Sequence, residues 1–321
     1  MKILCMGDLH ATDKQPTNRT DDYWETLQNK IKWIVDLYHK KKCDLLLQPG
    51  DFFDSCRASN VVIKTMISLL QEMEIATIYG QHDMRYHNPD VSNTPLAILE
   101  AAGTVEILGE DPFVFSKEAV PDGDSLVSEN DSRIIWIYGA GWGEDIPTDI
   151  NKEGTRVLVT HRMIIKDKLW EGQEDFTHVQ DMFKYGYDLM VTGDNHQRFS
   201  YSNGEQHLIN AGSLMRSNIG QVDHEPFVYI YDTETKKVKG YQLPIALADT
   251  VFDMENAKRE KKKKEINDLF VKSLKGKTEI KGLNFLDNLD NVVSSSELSA
   301  EAIEMVQGSV EGIYKTNKDG R

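Results

Sequence analysis

The sequence predicts an α/β fold in which a mainly parallel, helix-covered sheet packs against a second sheet. Short apolar runs alternate with helix-period segments between residues 2 and 79. Further strand-like runs after residue 133 follow one another without intervening helices. Five runs end in turns that carry Asp, His or amide side chains, at the kind of strand end where open α/β sheets place their ligands.

Taken in order, Lys2-Ile3-Leu4-Cys5-Met6 reads as a strand ending in Gly7-Asp8-Leu9-His10. From Tyr23 to Lys42, residues Trp24, Leu27, Ile31, Ile34, Val35 and Tyr38 recur at helical spacing. Asp44-Leu45-Leu46-Leu47-Gln48-Pro49 is a buried strand closed by proline and glycine, and it delivers Gly50-Asp51-Phe52-Phe53-Asp54. Asn60 to Glu74 repeats the helical pattern and leads into the strand Ile75 to Tyr79, which ends in Gly80-Gln81-His82-Asp83.

Thr94 to Ala102 reads as a short helix entered through Pro95. Residues 110–132, rich in Asp, Glu, Ser and Gly, read as loop or hairpin. Arg133 to Tyr138 is a strand leading to a flexible turn, Gly139-Ala140-Gly141-Trp142-Gly143. Arg156 to Thr160 ends in His161, and Tyr187 to Thr192 ends in Gly193-Asp194-Asn195-His196. After Gln206 to Asn210 and a Gly212-Ser213 turn, Phe227 to Tyr231 and Lys237 to Leu243 form a hairpin. These later strands are assigned to the second sheet. The main domain spans residues 1–245. Residues 246–321 differ in kind: Met254 to Leu274 is charged and helical, a second helical pattern surrounds Leu298 to Tyr314, and the segment reads as a small domain or partner-docking tail.

At 321 residues, 40% hydrophobic, the chain can bury a large core. No apolar run approaches a membrane span, and Met1-Lys2-Ile3-Leu4 reads as core strand rather than signal peptide, so a cytoplasmic protein is expected. Cys5, Cys43 and Cys56 have no Cys-x-x-Cys spacing, which supports neither a disulfide framework nor a thiolate zinc site. Residues 251–321 hold 13 basic and 13 acidic residues, so the net charge of −15 belongs to residues 1–250. An acidic body with a carboxylate-rich site suits cation binding, and bound divalent ions reverse the local sign where a phosphate approaches. The run Lys258 to Lys264 is either a solvated helix face or a phosphate contact.

Asp and His side chains suit a first-row divalent metal, and a carboxylate shared by two ions holds a pair suited to in-line phosphoryl displacement. The expected sets are Asp8, His10, Asp51 and His196 around one ion, and Asp51, Gln81, His161 and Asp194 around the other. A water activated by the pair attacks phosphorus. His82 is the expected proton donor to the leaving oxygen, Asp83 the carboxylate that orients it, and Asp54 a further catalytic candidate. Singly, each motif is weak: Asp-x-His or Gly-Asp-x-x-Asp is common in turns. Their joint order at five strand ends carries the reading. His39, His87, His178, His207 and His224 have no assignable partner.

These five blocks resemble the calcineurin-like metallophosphoesterase superfamily, and their spacing is most similar to the SbcD nuclease family, which includes the double-strand-break nuclease subunit of eukaryotes and archaea and a phage recombination nuclease. The resemblance covers residues 1 to about 245. It implies a four-layer αββα fold, a two-sheet sandwich flanked by helices, with a small C-terminal capping region inside 246–321. It also implies two Mn2+ ions (Mg2+ being possible), hydrolysis of DNA, a coiled-coil ATPase partner docked through the C-terminal helices, and a possible homodimer. The family's Gly-Asn-His-Asp and Gly-His-x-His stand here as Gly80-Gln81-His82-Asp83 and Gly193-Asp194-Asn195-His196. Gln81 keeps an amide oxygen on a longer side chain, and Asp194 replaces a neutral nitrogen ligand with an anionic oxygen; both are competent ligands for a hard ion. Ser213 and Arg216 resemble the family's substrate-side loop, with Arg216 as a phosphate contact. The protein phosphatases of the superfamily are disfavoured, because Asp54 is followed by Ser55-Cys56 and His82 by Asp83. A small-substrate phosphodiesterase and a catalytically degenerate binding domain are the competing readings.

Overall fold

The computed structural model describes residues 1–85, 90–116, 134–151, 153–168, 173–256, 258, 259 and 262. The chain divides into a compact unit, Met1–Phe252, and a second unit, Asp253–Arg321. His87, Arg133, most of the 110–132 segment and nearly all of the C-terminal helical patterns lie outside the described residues.

In chain order the strands are β1 (Lys2–Cys5), β2 (Leu45–Gln48), β3 (Ile75–Thr77), β4 (Glu106–Ile107), β5 (Phe113–Ser116), β6 (Ile134–Ala140) and β7 (Thr155–Thr160). They continue with β8 (Ile164–Ile165), β9 (Thr177–His178), β10 (Leu189–Thr192), β11 (Phe199–Ser202), β12 (His207–Asn210), β13 (Phe227–Asp232) and β14 (Lys237–Gln242). Two six-stranded mixed sheets result, ordered β14-β13-β1-β2-β3-β4 and β11-β12-β10-β7-β6-β5, with β8-β9 as a separate pair. Each large sheet has a parallel centre: β1 to β4 in the first, and β12, β10, β7 and β6 in the second.

The sheets stack through one apolar layer. Ile3, Cys5, Leu45 and Leu47 of the first sheet meet Ile137, Val157, Val159 and Val191 of the second. The alternate residues of the first sheet, Leu4, Leu46, Val228 and Ile230, face the helices. Strands buried on both faces must be apolar throughout, which is why they read as continuous runs. The outer face of the second sheet packs Tyr138, Leu158 and Met190 under Val179 and Met182 of a 3₁₀ helix, Val179–Tyr185.

The hairpin β13–β14 corrects the expectation that the later strands all belong to the second sheet. β13 pairs antiparallel with β1, Ile3 opposite Tyr231, and completes the first sheet. Its alternation explains the choice: Val228 and Ile230 join the helix-side core, while Tyr229 and Tyr231 join the layer between the sheets.

Helix α1 (Tyr23–Lys41) starts where the Asp22 carboxylate accepts from the Glu25 amide, and stops where Lys42 turns left-handed. It buries Tyr23, Leu27, Ile31 and Ile34 on the first sheet, each apolar side chain contributing about 1.5–3 kcal/mol. Helix α2 (Asn60–Leu70) is capped by Ser59 and helix α3 (Pro95–Ala101) by Thr94. Helix α4 (Ala248–Val251) leads to Phe252, which is buried and bridges to Arg19. Among the described residues no helix is long and apolar enough to cross a membrane.

Candidate metal centre

The carboxyl ends of β1, β2 and β3 lie beside those of β7 and β10, so two sheets, not one, supply the five turns. Gly193 and Gly80 allow the approach: a Cβ on Gly193 would collide with the Asp8 carboxylate and the His161 ring, and one on Gly80 with Asp51. His10 (φ 45°), Asp51 (φ 48°) and Asp194 (φ 72°) are three of the five non-glycine residues with positive φ among those described. Such backbone costs about 1–3 kcal/mol per residue and persists where the surroundings over-determine it.

Asp51 sits at the middle. Its Oδ1 accepts from the His82 amide at 2.8 Å, and its Oδ2 lies 3.4 Å from His161 Nε2 and 3.6 Å from His10 Nε2. His196 Nε2 is 3.5 Å from Asp8 Oδ2 and 3.1 Å from His10 Nε2. The Asp194 amide donates to Asp8 Oδ2 at 3.0 Å, and the Gln81 side-chain amide is 3.5 Å from Asp194 Oδ1.

His161 shows what the cluster can hold. Its Nδ1 is 2.6 Å from the Pro49 carbonyl, which only accepts, so Nδ1 carries the hydrogen. In the neutral ring Nε2 then turns a lone pair toward Asp51 Oδ2, and neither atom has a hydrogen-bond partner. Two buried acceptors facing each other require a cation between them, a proton or a metal. Asp8 Oδ1 is a third buried acceptor without a partner. Three such atoms in one acidic and imidazole-rich cluster fit divalent ions.

The electrostatics agree. Burial alone would lower His161, but Asp51 and Asp8 outweigh it and push the imidazole up to about 10. Burial alone would raise Asp51, but His161 and His10 hold it down at about 2. Burial pushes Asp8 well above the usual carboxylate range and drives His10 down to about 3 and His196 below its ordinary value. The Asp51 carboxylate is therefore ionised and the His10 and His196 imidazoles are neutral, the forms in which such groups can take up a cation.

Of the expected ligands, Asp8, His10 and His196 offer atoms within 4.8 Å of one another. A second group at that spacing is His10, Asp51 and His82. His82 thus lies within reach of ligand atoms as well as lining the cleft.

Three expectations need correction. Asp83 does not touch the His82 ring; its carboxylate accepts from the amides of Phe52, Phe53 and Gly80 at 2.9–3.1 Å and staples the loop carrying Asp51. The His82 ring is oriented by the Asp54 carbonyl, 2.9 Å from Nδ1. Asp54 therefore acts through its backbone, with its carboxylate 4.0 Å from His10 Nδ1. Arg216 is buried behind the site: its guanidinium donates to the carbonyls of Val222 and Ala246, which an arginine that follows a substrate-side turn in sequence does not reveal. Ser213 does line the cleft, but its hydroxyl donates to the Met215 carbonyl and accepts from Gln221.

Sequence reading missed the supports. Gln48 bonds both ways to Gly50 and accepts from Thr77, fixing the turn before Asp51. Asn210 donates to the carbonyls of Asn195 and Gln197 on either side of His196. Lys30, buried on α1, donates to the Leu214 carbonyl at 2.8 Å, while the Leu214 amide donates to the Asp8 carbonyl. A polar residue inside an apolar strand or stripe was the available signal for Gln48, Thr77 and Lys30.

Lys30 yields a prediction. Burial, with Arg216 and Arg19 nearby, lowers its pKa from 10.5 to about 7. Between those values the unfolded chain holds a proton that the folded one lacks, so stability rises with pH across the window. Urea midpoints of wild type should rise relative to Lys30→Met between about pH 7 and about pH 9. Parallel curves would contradict this.

Comparison with known proteins adds the family. The pattern of the calcineurin-like phosphoesterases matches residues 1–206. A double-strand break repair protein MRE11 of Encephalitozoon cuniculi (strain GB-M1) is 23% identical over 274 residues, covering 72% of this chain and 45% of that protein. The DNA double-strand break repair protein Mre11 of Methanosarcina mazei is 22% identical over 232 residues, covering 72% and 36% respectively. The chain spans less than half the length of both relatives. Among solved structures, a protein of Thermus thermophilus aligns with a TM-score of 0.46 at 11% identity, over 76% of this chain and 99% of that one. Since the family pattern takes in well over half of the 321 residues, including every turn from Asp8 to His196, the chain belongs to the calcineurin-like phosphoesterase family.

Proposed function

We propose that the protein is a manganese-dependent DNA nuclease that hydrolyses phosphodiester bonds, acting as the nuclease subunit of a repair or recombination complex. The observation that carries the phosphodiesterase reading is the set of unpartnered buried acceptors, Asp8 Oδ1, Asp51 Oδ2 and His161 Nε2, within one Asp and His cluster. The relatives, named for double-strand break repair, support DNA as the substrate.

Asp8, His10, Asp51 and His196 would hold one ion, and Asp51, Gln81, His161 and Asp194 the other. When bound, the pair supplies neutralisation of the phosphate oxygens and activation of the attacking water. The chain's own groups do the rest. Asp51 stays ionised at neutral pH, and the Pro49 carbonyl keeps the His161 hydrogen on Nδ1, away from the ligand side. His82, tied through Nδ1–H to the Asp54 carbonyl, is left with Nε2 as the atom that passes a proton to the leaving oxygen. Residues 246–321 form a capping or docking region for a coiled-coil ATPase, a reading supported by the family resemblance and by the charged sequence of that segment.

The test is release of nucleotides from end-labelled double- and single-stranded DNA in manganese, with bis-(p-nitrophenyl) phosphate as a small diester. Wild type should degrade DNA, and His82→Ala should lose about 100-fold or more in kcat while keeping its manganese. Loss of manganese in that variant would make His82 a ligand instead. Cleavage of the small diester beside intact DNA would favour a small-substrate phosphodiesterase.

A further inference from the structure

The cluster opens on two cavities, and proton transfer uses only one. The first, about 140 Å3, is lined by Asp8, His10, His82 and His196 on one side and by Ser217, Asn218 and Gln221 on the other. The second, about 450 Å3, shares His161 and Asp194 with the cluster but is walled by Trp142, Arg162, Met163 and Phe176. None of the last four belongs to the expected ligand or proton-transfer sets.

The walls of the second cavity are fixed. The Trp142 amide donates to the Tyr79 carbonyl at 2.9 Å, in the segment between β3 and Gln81. The Gly141–Glu144 turn is closed by the Glu144 carboxylate accepting from the Gly141 amide at 2.7 Å, and the Arg162 guanidinium donates to the Glu144 carbonyl at 2.9 Å. Opposite, the Thr177 amide donates to the Met163 carbonyl at 2.8 Å, holding the segment that carries Phe176 beside β8. An indole, a phenyl ring, a thioether and a guanidinium around one cavity form a surface for a flat π-system, because every nucleobase has a face that stacks on such groups.

The side of the phosphate follows from His82. The leaving oxygen must face the proton donor, and His82 lines the first cavity. The group that stays on the phosphate is then directed to the other. Building on the phosphodiesterase reading, we propose that the second cavity binds the nucleobase of the nucleotide retained on the cleaved phosphate, stacked between Trp142 and Phe176 with Arg162 at its edge. The product nucleoside monophosphate is accordingly a ligand of this cavity. The volume matches one nucleotide, near the lower end of ordinary ligand pockets.

The experiment is equilibrium binding by calorimetry, with manganese present, of thymidine 5′-monophosphate, thymidine, deoxyribose 5-phosphate and inorganic phosphate. The proteins are the full-length wild type, Trp142→Ala, Trp142→Phe and Phe176→Ala. Wild type should bind the nucleotide about tenfold or more tighter than the base-free sugar phosphate. Trp142→Ala and Phe176→Ala should each reduce that ratio severalfold with inorganic phosphate still bound, and Trp142→Phe should retain most of it. An equal affinity for nucleotide and sugar phosphate in wild type, or a ratio unchanged in both alanine variants, overturns the base site while leaving phosphate binding, and with it the phosphodiesterase reading, intact. Trp142-dependent binding of thymidine with no manganese-dependent binding of phosphate would do the reverse.

Discussion

Replacing Asp51 with asparagine is expected to abolish manganese binding and hydrolysis together, and to lower the His161 imidazole from about 10. The first effect follows because Asp51 Oδ2 is a carboxylate oxygen that lies close to both imidazoles, 3.4 Å from His161 Nε2 and 3.6 Å from His10 Nε2, where asparagine puts no anionic oxygen. The second follows because burial by itself lowers His161, and Asp51 is the nearer of the two carboxylates that reverse this. The sign for the metal-free protein is definite. A histidine whose folded pKa lies above its unfolded value stabilises fully below 6.5, and that contribution is lost as pH rises toward 10. Asp51→Asn should remove this alkaline loss. A proton NMR titration of His161 in the metal-free protein checks it, and a ring still titrating near 10 in the variant would contradict the electrostatic account.

The second large effect is expected at Asp83, which makes no contact with the substrate cleft. Its fully buried carboxylate accepts three backbone amides, those of Phe52, Phe53 and Gly80. Asp83→Ala strands these donors in the interior at about 1 kcal/mol or more each, so unfolding free energy should fall by about 3 kcal/mol. For a domain of this size that lowers Tm by about 6–12 °C. The loop released is the one that carries Asp51, so metal affinity should fall with stability, a pairing that loss of an imidazole-orienting group would not produce. Burial, aided by the Asp51 charge, holds the Asp83 carboxyl up at about 7, which moderates the cost of its removal near neutral pH. Thermal unfolding with and without manganese measures both effects, and an unchanged Tm would contradict the staple.

The parts of the architecture that depend on local pattern were legible in the residues. Strands buried on both faces show as runs such as Leu45-Leu46-Leu47, and helices α1 and α2 show through apolar spacing and the capping residues Asp22 and Ser59. The turns holding Asp8, Asp51, His161 and His196 were legible because a carboxylate or imidazole directly after such a run has few packing roles. What depends on distant pairing was not legible. β13 joins β1 across more than two hundred residues of chain, and the sequence of a hairpin does not name the sheet that receives it. The direction of a side chain from a turn is equally hidden. Asp83 points back to the backbone and Arg216 inward to Val222 and Ala246, although both stand next to residues that face the site. Lys30 escaped for the opposite reason, since lysine on a helix is ordinarily solvated.

A two-ion centre around Asp51 has a direct signature in calorimetric titration of the metal-free, full-length protein with manganese. Wild type should take up two ions per chain and release a proton to solvent as the incoming cation displaces the hydrogen on His161 Nε2, and Asp51→Asn should show neither signal. A wild-type protein that takes up no manganese, or binds it equally well without the Asp51 carboxylate, would contradict it.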